Sequence, residues 1–275
     1  MKRLSTWRRV ALTAWDAPRN PTAHGMLDID VENALEYLSE LEKRSGVRVS
    51  LTHLVGKAFT MGMADVPETN AYVSRGRLIA RKTIDAFFQV SFSDRDAADE
   101  IPGEKPADLG GVKVVETNEK PLVQIAREVR ERATRIREGN DLETKNNARS
   151  LARMPASFIG TAIRVGGFLS YDLGLDLSVI GIPFDAYGSV MITNVGVFGL
   201  PSAIAPLSEL SRVPIVVTIG ALRTAPGVFE GVVVPRKQVT VGVAFDHRVM
   251  DGSHAGRIAK RFLAVLADPE RTLGY

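Results

Sequence analysis

Apolar residues fall at alternate positions near the end of the chain: Val239, Val241, Val243 and Phe245. That alternation predicts a half-buried strand. One more step places His247 on the same apolar face, at the strand's end. Beyond it, Ala255, Ile258, Ala259, Phe262, Leu263 and Leu266 recur at helical spacing, with Arg257, Lys260 and Arg261 pointing mostly elsewhere. This predicts an amphipathic helix. A strand, a tight connection and a helix therefore organise the last fifty residues.

The same reading runs through the rest of the chain. Leu4, Trp7, Val10 and Ala11 predict a short helix, broken by the prolines between Asp16 and Pro21. His24 to Asp30 reads as a strand. Val31, Ala34, Leu35, Leu38 and Leu41 mark a helix capped by Asp30. Ser50 caps a second helix with Leu51, Leu54, Val55, Ala58 and Phe59 on its apolar face. Strands follow at Tyr72–Val73, Leu78–Ala80 and Ala86–Phe92, then a polar loop from Asp94 to Gly111 and a strand from Val112 to Glu116. Leu122, Ile125, Ala126, Val129, Ala133 and Ile136 give a further amphipathic helix; its Arg- and Glu-rich face reads as solvated. Residues 141–186 form a long apolar and Gly-rich stretch, read as a packed helical insert. Arg164, Asp172 and Asp176 interrupt it, and each charge costs about 2.5–3.5 kcal/mol at a bilayer centre, so no transmembrane span is expected. Ser189–Thr193 and Ile215–Ile219 are strands, Ala225–Glu230 is a turn, and Gly231–Pro235 leads back toward the strand that ends at His247. The last three strands are expected to be neighbours. Helices and strands alternate as in an α/β sandwich.

Composition narrows the chemistry. The 275 residues carry a net charge of +3 with no basic tract, so a nucleic-acid partner is not implied. The chain contains no cysteine, which excludes disulfides, thiolate metal sites and a cysteine acyl-enzyme. The start lacks the apolar run of a signal peptide, so a cytoplasmic location is expected. No pair of histidines has metal-ligand spacing beside a carboxylate, so no metal is expected.

The connection after the strand reads His247-Arg248-Val249-Met250-Asp251-Gly252. On residue types alone it is a turn and a helix N-cap, with Asp251 or Ser253 taking the first helix amides. The fuller run Phe245 to Gly252 resembles the signature of the acyltransferase catalytic domain of 2-oxo acid dehydrogenase complexes; chloramphenicol acetyltransferase shares its H-x-x-x-D-G core. Gly188 to Gly199 resembles that family's strand and glycine turn carrying a Ser or Thr. Pro67-Glu68-Thr69-Asn70 and Leu266 to Glu270 fit as well. The resemblance implies a single catalytic domain over residues 1–275, with a two-layer chloramphenicol acetyltransferase-like sandwich around a mixed sheet. It implies a homotrimer, built further into cubic or dodecahedral cages in the dehydrogenase-complex members.

It also implies roles. His247 is the general base, Thr193 the hydroxyl donor to the oxyanion, and Asp251 an organiser that fixes the loop through buried hydrogen bonds. Coenzyme A or its acyl thioester is the substrate, and the acceptor is a dihydrolipoyl-type thiol. A neighbouring Asp246–His247 dyad is discounted, because adjacent strand residues face opposite ways. Arg9 is a candidate partner for Asp251, and His24 stands near a family histidine with displaced spacing. His53 and His254 read as ordinary helix residues. The chain departs from the family in the Asp94–Gly111 wall and the insert at 141–186. Neither a lipoyl domain nor a subunit-binding domain is read in it, so the lipoyl arm is expected on another protein. Two other functions compete: a small-molecule O- or N-acetyltransferase, and a catalytically idle trimer or cage protein.

Overall fold

The computed structural model of the protein describes residues 20–91, 109–137, 161, 164–175, 177, 184–208 and 211–274. The N-terminal helix expected at residues 4–11, Arg9, most of the Asp94–Gly111 wall and most of the 141–186 insert lie outside them. Strand β1 (Thr22–Asp30) leads to helices α1 (Glu32–Ser45) and α2 (Leu51–Ala64). A hairpin of β2 (Ala71–Ser74) and β3 (Arg77–Ala80) follows, then β4 (Ala86–Ser91), β5 (Leu109–Val114) and α3 (Leu122–Arg137). After β6 (Val190–Asn194) come β7 (Ile215–Ile219), β8 (Arg223–Phe229), β9 (Val232–Asp246), α4 (Gly252–Ala267) and α5 (Pro269–Leu273).

The main sheet runs β1-β9-β7-β6-β4-β5, with β8 paired to the first half of β9. It is mixed: β4–β6 and β6–β7 are parallel, and the other pairs are antiparallel. The three C-terminal strands expected to be neighbours, β6, β7 and β9, are adjacent in the order β9-β7-β6. Helices pack on one face. There the sheet residues Phe88, Ile192, Ile215 and Val241 meet Leu54, Ile125, Ile258 and Phe262, all at most 2% exposed. At about 25 cal/mol per Å², burial of side chains this large is the main force holding the layers together. Gly62 allows α2 to cross α4 closely: a Cβ there would lie 2.8 Å from the Ile258 carbonyl oxygen.

Three expectations change. Ala225–Phe229, expected as a turn with Glu230, is instead most of strand β8, and the chain reverses at Glu230–Gly231, where both φ angles are positive. Pro226 is tolerated because β8 pairs only with β9 among the described residues, so its missing N–H faces no second ladder. Strand β5 begins at Leu109 rather than Val112 and ends at Val114 rather than Glu116. Gly111 belongs in it because the Phe87 ring covers the space a Cβ would occupy. Asp30 caps α1 one residue early: its carboxylate accepts from the Glu32 amide at 3.0 Å, and Val31 holds the N-cap position.

The tip of the β8–β9 hairpin is apolar and open: Val228 is 74% exposed, Val233 68% and Val232 61%. Part of the described insert is helical. Residues 164–167 are α-helical and run into a π-helical turn at Phe168–Asp172. Asp172 ties this turn to the body, accepting from Ser74 Oγ at 2.8 Å and from Arg212 Nη2 at 2.9 Å. No described helix is long and apolar enough to cross a membrane.

His53 lies in the first turn of α2. Its Nδ1 accepts from the Ser50 amide at 3.1 Å, and its ring meets the edge of Phe88. Loss of hydration, and secondarily the Arg130 guanidinium, depress its pKa to about 4. The unfolded chain therefore takes up this proton first as pH falls, and stability is lost between about pH 6.5 and pH 4. The full shift is worth on the order of 3 kcal/mol, an upper bound because the ring keeps some contact with water. His53→Gln keeps an acceptor for the Ser50 amide. Urea unfolding at pH 7 and pH 4.5 should show a smaller acid loss in this variant than in the parent chain; equal losses would refute the assignment.

Candidate functional site

Strand β9 delivers His247 to the end of the sheet. Two backbone bonds hold it there: the Asp246 amide donates to the Pro214 carbonyl at 2.9 Å, and the His247 amide donates to the Pro21 carbonyl at 2.8 Å. The chain then turns, with the Val249 and Met250 amides both on the Asp246 carbonyl, and Val249 and Met250 are buried. His247 is exposed, and its ring lies beside Phe245 with centroids 6.2 Å apart, on the side expected from the alternation. Asp246 faces the other way. Its carboxylate accepts from the Arg248 amide, from Nε at 2.9 Å and from Nη2 at 2.7 Å. It serves the turn and not the imidazole.

Asp251 is the N-cap of α4. It accepts from the Ser253 amide at 2.9 Å and the His254 amide at 3.1 Å, while His254 Nδ1 accepts from the Asp251 amide at 3.2 Å. The His254 amide and imidazole hold the Asp251 carboxyl below the usual carboxylate range. These bonds do organise the connection, but they are not buried: the Asp251 side chain is 55% exposed in the single chain. A helix start at the surface leaves the cap open to water. His254 is part of the cap, and its Nε2 lies 3.6 Å from Glu68. Glu68 belongs to the Pro67–Asn70 segment, so that motif touches α4 directly.

Thr193 lies on β6. Val190 and Ile192 point into the helix-side core, fully buried, so Thr193 faces outward, half-buried, opposite Thr218 of β7. Asn194 closes the strand by accepting from the Gly196 amide and donating to Thr52 Oγ1.

The register places these groups. Thr193 is level with Thr218, and Thr218 with Gly242 of β9. His247 comes five residues after Gly242 and two strands across. At about 3.3 Å per residue and 4.8 Å per strand, the two backbones are roughly 19 Å apart, at opposite ends of the sheet. Thr193 also faces away from the helices, whereas the ring of His247 keeps to the side of Phe245, which joins the helix-side core. Within one chain His247 and Asp251 lie at the two ends of the short connection between β9 and α4, and Thr193 lies apart from both.

A cleft of about 600 Å³ opens at the His247 end, lined in part by Asn20, Pro21, Tyr72, Arg164, Arg212, Asp246 and Arg248. It is absent from the sequence reading because its walls come from segments far apart in the chain. Arg164 reads there only as a charge breaking an apolar run. No group of three or more metal-ligating side chains occurs among the described residues. Loss of the Asp251 carboxylate should lower the urea midpoint, with Asp251→Asn and Asp251→Ser retaining most of what Asp251→Ala loses. Identical midpoints for Asp251→Ala and the parent would remove the cap from the account.

Comparison with known proteins gives three findings. Residues 186–274 match the family model of the 2-oxoacid dehydrogenases acyltransferase (catalytic domain). No curated protein sequence matches. Several solved structures share the fold. A probable dihydrolipoamide acetyltransferase from Listeria monocytogenes 4b F2365 is 15% identical with a TM-score of 0.62, over 97% of this chain and 94% of its own. The cubic core of a pyruvate dehydrogenase multienzyme complex is 19% identical with a TM-score of 0.62, over 97% and 87%. A truncated catalytic core of the 2-oxoacid dehydrogenase multienzyme complex from Thermoplasma acidophilum is 18% identical with a TM-score of 0.60, over 98% of each chain. The expected α/β sandwich with a mixed sheet is borne out.

Proposed function

On the premise that residues 186–274 match the family model of the 2-oxoacid dehydrogenases acyltransferase (catalytic domain), we propose that the protein is a coenzyme-A-dependent acyltransferase. It moves an acyl group between an acyl-coenzyme A and a dihydrolipoyl-type thiol, by direct transfer. The observation that carries the reading is the family match over the segment holding Thr193, His247 and Asp251, with the imidazole of His247 exposed at a strand end fixed by backbone bonds on both sides.

The imidazole of His247 accepts the proton of the attacking thiol. The thiolate forms a bond to the thioester carbonyl carbon, and the carbonyl pair moves to oxygen. The Thr193 hydroxyl donates to that oxyanion. The intermediate then collapses, the carbon–sulfur bond to the leaving thiol breaks, and the imidazolium returns the proton to the departing sulfur. Asp251 acts through the loop, by capping α4 and fixing the backbone that follows His247.

One chain cannot assemble this site, because Thr193 and His247 lie roughly 19 Å apart by strand geometry. His247 of one copy must meet Thr193 of the next. That is a head-to-tail contact, which closes into a ring. A trimer is the form we propose, with larger cages built from it, and a lipoyl-bearing protein in trans as the physiological acceptor.

Acetyl transfer from acetyl-coenzyme A to dihydrolipoamide tests the reading. The parent chain should turn over, His247→Ala should lose nearly all activity, and Thr193→Val should lose about 10²–10³ in kcat. Mixing the two inactive variants during refolding should restore about a quarter of parental turnover, since that fraction of contacts pairs an intact His247 with an intact Thr193. No recovery on mixing, with mixed oligomers demonstrated, would refute a shared site. Turnover of a hydroxyl or amine acceptor in place of the thiol would reassign the acceptor.

A further inference from the structure

We infer that the cleft at the His247 end is an anion subsite, in which Arg164 of the insert holds a phosphate or carboxylate of the substrate. The inference rests on the acyltransferase reading and extends it to binding residues that neither the motif nor the family match assigns.

The charges in the cleft are largely accounted for among themselves. Asp246 is taken by Arg248, with Nη2 to Oδ2 at 2.7 Å. Arg212 is taken by Asp172 at 2.9 Å and also donates to the Val73 carbonyl at 2.6 Å. Arg164 is different. It lines the cleft, its side chain is exposed, and it makes no hydrogen bond or ion pair among the described residues. A guanidinium standing in a concave, otherwise neutralised cleft is suited to a planar or tetrahedral anion, which it can grip through two parallel N–H donors.

The position of Arg164 is also fixed. The helix at 164–167 continues into the Phe168–Asp172 turn. That turn is pinned through Asp172 to Ser74 and Arg212, while Tyr171 is 9% exposed and packs edge-on against Tyr72. A preset cation loses less freedom on binding than one on a loose loop. The cleft and the imidazole share one strand end. Asp246 and Arg248 line the cleft, while His247 between them turns its ring to the other side. The anion held by Arg164 therefore sits away from the reacting sulfur, on the remote part of a long substrate. Phosphates of coenzyme A and a carboxylate on the acceptor both meet that description. Binding energy gained there orients the reacting end without entering the chemistry.

The test uses the full chain with Arg164→Ala and Arg164→Lys, checked for parental circular dichroism. Calorimetric titration with coenzyme A, 3′-dephospho-coenzyme A and pantetheine reads the phosphate source. KM for dihydrolipoate against dihydrolipoamide reads the carboxylate source. One lost charge-assisted contact should weaken the affected ligand roughly 10- to 100-fold, with partial recovery in Arg164→Lys. Weaker coenzyme A with unchanged pantetheine assigns a phosphate. A raised KM for dihydrolipoate alone assigns a carboxylate. Parental affinity for every probe in Arg164→Ala overturns the subsite. His247→Ala, assayed alongside, separates the two claims: retained turnover there sinks the general base while the titrations still report on Arg164. A parent chain that binds none of the probes overturns both.

Discussion

One ladder register governs the candidate site. Phe245 pairs with Ile215 and Val217 with Val243, so β9 runs antiparallel to β7 and, through it, to β6. Slipping that pairing by a single residue would turn Val239, Val241 and Phe245 out of the core, so the buried face locks the register. With it locked, the end of β9 and the end of β6 must point in opposite directions. The separation of imidazole from hydroxyl is thus a property of the sheet, and the second copy in the proposed site follows from strand geometry.

The same strand links the layers. Over fifteen residues β9 pairs with β8, β1 and β7 in turn, then hands the chain to α4 through a turn closed by Asp246. Apolar burial carries the energy of this arrangement, while the polar groups set its details. Arg81 bonds both oxygens of Asp185 with its own side chain only 3% exposed, and stacks on Tyr72. Lys57, buried in α2, donates to the Asn118 and Lys120 carbonyls. Left without these partners, such cations would be costly to bury.

How much of this could be read from the sequence depends on where each element lies. The second half of strand β9, from Val239, and helices α1 to α4 are legible because each buries one side, which writes a period of two or 3.6 into the residues; the exposed first half, read only as a lead-in, carries no such period. Strand β8 is not, since Pro226 and Gly227 break strands in most settings and only an edge position excuses them. The start of β5 is hidden for a related reason: Gly110 and Gly111 carry no side chain to show a period, and the compensating contact comes from Phe87 on another strand. His247 and Asp251 are legible as a motif six residues long, and the cap reading of Asp251 needs nothing more than helix chemistry. Thr193 is legible as a residue but not as a place, because its distance from His247 exists only once three strands are paired. The cleft is the least legible part. Arg164, Arg212 and Tyr72 meet through the folded chain and share no local signal.

The hairpin of β8 and β9 has a bearing on how the protein is handled. Val228, Val232 and Val233 stand in water at its tip, and β8 shows an outer edge with no ladder partner among the described residues. An edge of that kind invites another strand, whether from a correct neighbour or from a misfolded one. Covering it makes association part of the folding equilibrium, so the midpoint of unfolding would shift with the amount of protein in the tube. Dilution, ordinarily harmless to a folded chain, becomes for such a surface a denaturing condition.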